Sequence, residues 1–237
     1  MKKNLLIIFL FLLNLLSCYL VVKLEYKTRY IKHYIERRKG IVQEKRPADL
    51  SCIEGWTNTI AKLDYDADIV FFGHSHITDS DFRQYFPDKK IVNLGYPGNN
   101  LKGMLSRIEQ IDLVKPEKVF IMGGANSLWY SKEEFESAYD TLITNIRNKI
   151  PNAELYLINI LPQCNGEKGN ALRNVTIRSR NRFIGSYATL HDIKMIDVYS
   201  LYVDEKGNLV DSLSNDGLHL KASAYDKWAE CLIPYMQ

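Results

Sequence analysis

The sequence has few of the residues that build metal ribbons, disulfide scaffolds or repeats. Its four cysteines, at positions 18, 52, 164 and 231, show no C-x-x-C pair and no zinc-ligand spacing, which argues against a thioredoxin-type or zinc-ribbon centre. Five histidines are too few to build a dinuclear metal centre convincingly. Internal repeats and low-complexity tracts are absent. The 237 residues, 46% hydrophobic and 25% charged, have the composition of a globular chain with room for one domain of ordinary size.

The sequence also lacks a basic surface outside its first segment. Residues 1–47 contain 11 Lys and Arg against 3 Asp and Glu, whereas residues 48–237 contain 20 against 25. The net charge of +3 therefore combines a basic N-terminal segment with a mildly acidic body, residues 48–237. An acidic surface argues against nucleic acid as a partner.

Only one long apolar run is present, and it lies at the N-terminus. Residues 5–22 carry no charge and follow Lys2 and Lys3. As a helix this run would span roughly 27 Å, close to the hydrocarbon thickness of a bilayer. The run predicts a transmembrane helix within residues 1–22. We expect it to anchor the protein with its body outside the cytoplasm, in the periplasm or at the cell surface.

Two other interpretations of the apolar run stay open. A basic start and an apolar run also describe a cleaved secretory signal, although no A-x-A-like cleavage site follows. Residues 15–18 resemble a loose bacterial lipobox in which Cys18 would be lipidated, but the run stays apolar through Val22. All three interpretations place the body outside the cytoplasm.

Residues 23–47 form a basic juxtamembrane segment with a helical pattern. Apolar positions such as Ile31 and Ile35 alternate with Lys and Arg. The pattern predicts a spacer helix, either solvated or lying against anionic lipid head groups. A count of positive charges alone would keep this segment on the cytoplasmic side, so the orientation stays open.

Residues 48–237 are predicted to form one α/β domain. Short β-branched or aromatic runs alternate with longer amphipathic ones, which is typical of a parallel sheet covered by helices. The predicted strands are residues 67–72, 90–94, 118–122, 155–160 and 194–198. The predicted helices are residues 101–113, 132–150, which opens after the N-cap Ser131 with Glu134 three residues on, 177–190 and 222–235. We expect a five-stranded, flavodoxin-like, three-layer α/β/α sandwich.

Polar clusters follow the first three predicted strands, at residues 73–76, 95–100 and 123–127, and a fourth, residues 215–219, precedes the last helix. Ligands of open parallel sheets bind outside the carboxyl ends of the strands. The four clusters together therefore mark the candidate site.

In their order and spacing, these clusters resemble the blocks of the SGNH (GDSL-type) hydrolase family. Ser75 stands in its Gly-x-Ser block, Gly98 in its glycine block, Asn126 in its Gly-x-Asn block, and Asp216 and His219 in its Asp-x-x-His block. The resemblance implies that Ser75 is the nucleophile, His219 the base and Asp216 its partner. It also implies an oxyanion hole formed by the backbone N–H groups of Ser75 and Gly98 and the side-chain amide of Asn126. No metal or organic cofactor is implied.

The chemistry of these residue types agrees with that assignment. A serine hydroxyl is a poor nucleophile at neutral pH and needs an adjacent base, which His219 can supply. Asp216, three residues earlier, can orient the imidazole and stabilise the imidazolium that forms. Glycine at position 98 lets the backbone approach a substrate closely.

Two positions depart from the family pattern. His74 replaces the aspartate of Gly-Asp-Ser, and Ser127 replaces the second acid of Gly-x-Asn-Asp. Neither position is a nucleophile, base or oxyanion donor, so we expect activity to persist with an altered rate and pH optimum. The phrase Gly-His-Ser-His also resembles a metal-binding block of calcineurin-like metallophosphoesterases, but the upstream blocks of that family are missing. We expect His74 and His76 to be packing or rim residues.

The tail, residues 196–229, resembles the acetylhydrolase and carbohydrate-esterase branch. The resemblance implies a serine esterase that removes O-acetyl groups from carbohydrate. With the anchor predicted from the apolar run, we expect a membrane-anchored, bacterial enzyme. Alternatives are a lysophospholipase or short-acyl lipid esterase, an acyltransferase that uses the same site, and an inactive binding module that keeps the fold. Trp129 and Tyr130 form either a wall for a sugar ring or acyl chain, or a helix cap.

Overall fold

The computed structural model describes residues 50–62, 66–165 and 171–237. The predicted anchor, residues 1–22, and the predicted spacer, residues 23–47, lie outside these ranges. Among the described residues, no helix is both long enough and apolar enough to cross a membrane.

Five parallel strands form the central sheet, as the sequence predicts. They are β1 (Ile69–Gly73), β2 (Ile91–Gly95), β3 (Lys118–Met122), β4 (Glu154–Ile158) and β5 (Lys194–Ile196), in the spatial order β2-β1-β3-β4-β5. All four neighbouring pairs are parallel. Gly73, which ends β1, pairs with Gly95 of β2 and Met122 of β3, so these three strands end at the same level.

Helices cover the sheet between and after the strands. The α-helices are α1 (Leu50–Ala61), α2 (Ser75–Thr78), α3 (Leu101–Leu105), α4 (Glu109–Asp112), α5 (Lys132–Lys149), α6 (Ala171–Leu190) and α7 (Tyr225–Leu232). Short 3₁₀ turns at Ala125–Ser127, Ala222–Ala224 and Ile233–Tyr235 precede α5 and flank α7. The N-terminus of α5 carries the predicted capping box between Ser131 and Glu134.

Two apolar cores lie on opposite faces of the sheet, because successive strand residues point to opposite sides. Val70 and Phe72 of β1 pack into the core that includes α5 and α6. Ile69 and Phe71 pack into the core that includes α7. Both faces are thus covered, which completes the predicted three layers.

The sequence predicts one continuous helix over residues 101–113, and this prediction is wrong. The segment forms α3 and α4, separated by a turn in which Arg107 and Gln110 donate their backbone N–H groups three residues back. This tighter winding accompanies burial of the Arg107 side chain, which is 1% exposed. The strand ends differ from the prediction by at most two residues, and two helices differ by more. Helix α6 begins at Ala171 instead of residue 177, and the last helix is α-helical only over Tyr225–Leu232.

Candidate active site

The candidate site lies at the carboxyl edge of β1, β2 and β3. Strand β1 is central among the three, and Ser75 is the first residue of α2, directly after it. The loop with Gly98 follows β2, and the 3₁₀ turn with Asn126 follows β3. The order of the strands therefore brings three sequence-distant segments to one edge.

The loop before α7 completes this site with a chain of hydrogen bonds. Nε2 of His219 lies 3.0 Å from Oγ of Ser75, 144 residues earlier in the chain. Nδ1 of the same ring lies 2.6 Å from Oδ2 of Asp216. With the carboxylate ionised, Nδ1–H donates to Asp216 and Nε2 accepts the Ser75 hydroxyl hydrogen. The structure thus places Ser75, His219 and Asp216 in direct contact, in the order that a general base needs.

The Asp216 carboxylate is held by its own loop. Its Oδ1 accepts the backbone N–H groups of Leu218, at 2.9 Å, and His219, at 2.8 Å. Gly217 between them adopts a φ of 80°, a left-handed conformation that glycine adopts without strain. Burial works to raise the pKa of Asp216, but the hydrogen bonds from the His219 side chain and from the two N–H groups hold it well below its usual range.

Ser214 fixes this loop and was not foreseen in the sequence. Its buried Oγ accepts the N–H of Gly217 at 2.9 Å and lies 2.7 Å from the carbonyl oxygen of His219, to which its hydroxyl donates. The carbonyl of Gly217 in turn accepts the N–H of Cys164 at 2.8 Å, which ties the loop to the segment after β4. In the sequence, nothing distinguishes Ser214 from an ordinary turn serine.

Gly98 and Asn126 lie on adjacent loops that are joined through Asn99. Gly98 is exposed and adopts a φ of 73°, which requires the conformational freedom of glycine. The Asn126 amide donates to the carbonyl oxygen of Asn99 at 3.1 Å. That bond uses one of the two N–H donors of the amide.

Arg107 is a second residue that sequence reasoning missed. Its guanidinium donates to the carbonyls of Gly73, at 2.6 Å, and Leu94, at 2.7 Å, and to the side-chain oxygen of Asn99, at 2.6 Å. It also lies 4.2 Å from the centre of the Phe72 ring. Burial lowers the pKa of Arg107 to about 9, so the side chain remains charged at neutral pH. One buried cation thus joins the ends of β1 and β2 to the Gly98 loop. Arginine in an amphipathic segment is usually read as solvent-facing, so the sequence carried no clear signal for this role.

Both departures from the family pattern are buried. The Ser127 hydroxyl accepts the N–H of Leu101 at 3.0 Å and so connects the turn after β3 to the start of α3. His74 is fully buried, and its ring meets that of His76 edge-on, with the centroids 5.2 Å apart. Burial, followed by the proximity of His76, His219 and Arg107, holds the pKa of His74 well below its ordinary value. His74 is therefore a neutral packing residue at pH 7, not a rim residue.

Gly95, at the end of β2, allows the nucleophile segment to lie close to the sheet. A Cβ atom at this position would collide with the backbone N of Thr78, the last residue of α2. The glycine therefore serves close packing.

Within residues 50–62, 66–165 and 171–237, no group of three or more His, Cys, Asp or Glu side chains is arranged to hold a metal ion.

Trp129 stands beside Asn126 at the site, where its indole N–H donates to the Asn126 carbonyl at 3.0 Å. The Trp129 side chain is 41% exposed.

A serine, a histidine and an aspartate joined in this order form the arrangement by which serine hydrolases are recognised on unrelated folds. The chain belongs to the GDSL-like lipase/acylhydrolase family, whose model matches residues 54–227. This is the SGNH family that the sequence blocks resemble, and its members are hydrolases of ester bonds.

Individual relatives agree with this assignment. The chain is 26% identical over 150 residues to the platelet-activating factor acetylhydrolase IB subunit beta homolog of Drosophila melanogaster, covering 61% of this chain and 66%, just under two thirds, of that protein. A GDSL-like lipase from Bacteroides thetaiotaomicron superposes with a TM-score of 0.66 at 18% identity, covering 77% of this chain and 96% of that one. An acetylxylan esterase from Geobacillus stearothermophilus gives a TM-score of 0.57 at 18% identity, covering 72% and 94%. The two structural likenesses show the shared fold.

Proposed function

We propose that this protein is a serine esterase that forms an acyl-enzyme on Ser75. One observation carries the proposal: the uninterrupted hydrogen-bonded chain from Ser75 through His219 to Asp216, with distances of 3.0 and 2.6 Å. The low pKa of Asp216 keeps its carboxylate ionised at neutral pH, as its role beside the His219 imidazole requires.

The mechanism follows from this chain. His219 Nε2 takes the Ser75 proton as Oγ attacks the ester carbonyl, and Asp216 stabilises the imidazolium. The N–H groups of Ser75 and Gly98 and the Asn126 amide are the proposed donors to the tetrahedral oxyanion. The intermediate collapses to the acyl-enzyme, and His219 returns its proton to the departing alcohol. Water then attacks the acyl-enzyme with His219 as base, which releases the acid and restores Ser75.

We infer that the substrate carries an O-acetyl group on a carbohydrate. The tail of the sequence resembles the acetylhydrolase and carbohydrate-esterase branch. Two relatives, the Drosophila homolog of an acetylhydrolase subunit and the acetylxylan esterase, are named for acetyl substrates. A half-exposed Trp129 beside the proposed oxyanion donor Asn126 offers a flat surface at the site.

A short-chain lipid ester is the second candidate, favoured by the apolar run at residues 5–22. Transfer of the same acyl group to a sugar hydroxyl would use the same residues.

The proposed location is outside the cytoplasm, with residues 1–22 as the membrane anchor. Protease added to intact cells, with and without permeabilisation of the outer envelope, tests the location. Degradation only after the inner membrane is lysed would contradict it.

The activity is tested with p-nitrophenyl acetate and the purified full-length chain kept in a mild detergent. We expect Ser75→Ala to lower kcat by at least about a thousandfold, as removal of a triad member does. Ser80→Ala is the matched control, because Ser80 lies in the same segment, is buried, and donates only to the carbonyl of Ile77 at 2.8 Å. Equal rates for Ser75→Ala and the wild type would refute the nucleophile. No hydrolysis of any ester by the wild type would favour the inactive binding module.

A further inference from the structure

His76, the residue after the proposed nucleophile, also contacts the loop that carries the proposed base. Its Nε2 lies 2.9 Å from the carbonyl oxygen of Leu218, while Oγ of Ser75 lies 3.0 Å from Nε2 of His219. Ser75 and His76 are consecutive in the chain, and so are Leu218 and His219. The same two segments are therefore joined twice, once through the reacting groups and once beside them.

His76 is held through its side chain and through its backbone. It is 2% exposed, and its backbone carbonyl accepts the hydroxyl hydrogen of Tyr225, at the start of α7, at 3.0 Å. Its ring lies near those of His74 and His219, with centroid distances of 5.2 and 5.6 Å. A ring so confined cannot change rotamer without disturbing the elements on either side.

The partner of His76 also settles which ring nitrogen carries the hydrogen. A carbonyl oxygen only accepts, so the hydrogen of the neutral ring is on Nε2. Burial lowers the pKa of His76 to about 4, so the ring is uncharged at neutral pH. A neutral neighbour suits a base that becomes an imidazolium during turnover, because a second positive charge nearby would oppose that step.

We propose that His76 is a positioning residue that holds the His219 imidazole in register with Ser75 by fixing the Leu218 carbonyl. This inference rests on the proposed function, in which His219 is the base. Ser214 also supports this loop, through the N–H of Gly217 and the carbonyl of His219, but it belongs to the loop itself. His76 supplies a direct side-chain hydrogen bond from the nucleophile segment to the backbone of this loop. Loss of this hydrogen bond would change the distance between Ser75 and His219. A displacement of about 1 Å between reacting groups can lower the rate about a hundredfold.

Three substitutions separate positioning from simple packing. His76→Phe keeps a ring of similar size but removes the donor. His76→Gln places an amide nitrogen near the position of Nε2, and His76→Asn places it near Nδ1, one atom short of the Leu218 carbonyl. We expect His76→Phe to lower kcat for p-nitrophenyl acetate by about 10- to 100-fold with KM nearly unchanged. His76→Gln should recover most of the loss, and His76→Asn should not.

If His76→Phe does not fold, the pair of Gln and Asn variants still decides, because both are polar and differ only in reach. Equal kcat values for these two folded variants would overturn the inference. Nitrogen NMR of labelled histidine gives a readout without turnover. We expect the His219 ring resonances to shift or broaden in His76→Asn and to stay near wild-type positions in His76→Gln. Unchanged His219 resonances in both variants would overturn the inference.

Ser75→Ala is measured alongside, so that two failures are distinguishable. An inactive Ser75→Ala with wild-type kcat in His76→Phe would overturn the role of His76 and leave the proposed function standing. A fully active Ser75→Ala would overturn the proposed function and the positioning role with it.

Discussion

Arg107 donates a hydrogen bond of 2.6 Å to the carbonyl of Gly73, the residue that ends β1 two positions before Ser75. The same guanidinium binds the carbonyl of Leu94 and the side chain of Asn99. Because Asn99 follows Gly98 and accepts from Asn126, one buried side chain connects the nucleophile segment to both neighbouring loops. The arrangement of the candidate site therefore depends on a residue outside the four polar clusters.

Replacing Arg107 with Met should destabilise the protein and disturb the site together. The substitution leaves two buried carbonyls and the Asn99 oxygen without this donor, and each such loss costs about 1–3 kcal/mol. We expect the free energy of unfolding in denaturant to fall by about 3 kcal/mol or more, and kcat to fall in the folded fraction. Arg178→Met is the control, because Arg178 is exposed and its contact with the Gly207 carbonyl is long, at 3.5 Å. Similar effects of the two substitutions would contradict the role given to Arg107.

Gly95→Ala should displace the segment that carries Ser75. The added methyl group would press on the backbone of Thr78, and overpacking of this kind costs about 1–3 kcal/mol. We expect lower stability and a fall in kcat of roughly tenfold or more. Gly55→Ala is the matched control, because no heavy atom lies within 4 Å of a Cβ there and Gly55 lies inside α1, where alanine is favoured. Wild-type kcat in Gly95→Ala would show that the close approach has no bearing on the site.

The buried histidines predict how stability depends on pH. His76 has a pKa of about 4 in the folded protein, and burial also lowers the pKa of His74. In the unfolded chain both would titrate near 6.5. Between these values the unfolded state binds more protons, so the free energy of unfolding should decrease as pH falls from about 6.5 towards 4.

His76→Gln removes one of these two groups and should flatten this pH dependence. Denaturant unfolding at several pH values measures the slopes. His191→Gln is the control, because it makes the same replacement just after the end of α6, outside the candidate site. Parallel curves for the wild type and His76→Gln would contradict the assignment of a buried neutral His76.

Trp129→Leu tests the proposed carbohydrate substrate. Leucine keeps an apolar side chain but loses the flat indole face. If the indole face contributes about 1.4 kcal/mol to binding the sugar, its loss should raise KM for an acetylated oligosaccharide by roughly tenfold. The small ester p-nitrophenyl acetate reports any indirect effect through Asn126, and its kcat/KM should change by less than about threefold. Equal losses on both substrates would assign Trp129 to the support of Asn126 instead of to the sugar.

Much of the fold could be predicted because the strands are short runs of buried residues, and a parallel sheet imposes that pattern directly. The segment over residues 101–113 could not, because its apolar spacing is helical throughout. The helix is interrupted where the Arg107 side chain turns inward to its hydrogen-bond acceptors. Those acceptors lie at the ends of β1 and β2 and in the loop after β2, and the helical pattern of the segment does not reveal them. The positions of Ser75, Asp216 and His219 followed from motif order. The supports Ser214, His76 and Arg107 depend on contacts that form only in the folded chain.

The most direct test of the central claim is to find which residue of the protein forms the covalent adduct. The full-length protein is treated with a fluorophosphonate, digested and sequenced by mass spectrometry. We predict one adduct, on Ser75, formed in the wild type and absent in Ser75→Ala, with labelling strongly slowed in His219→Ala. An adduct on another residue, or equal labelling of the wild type and His219→Ala, would contradict the proposed nucleophile and base.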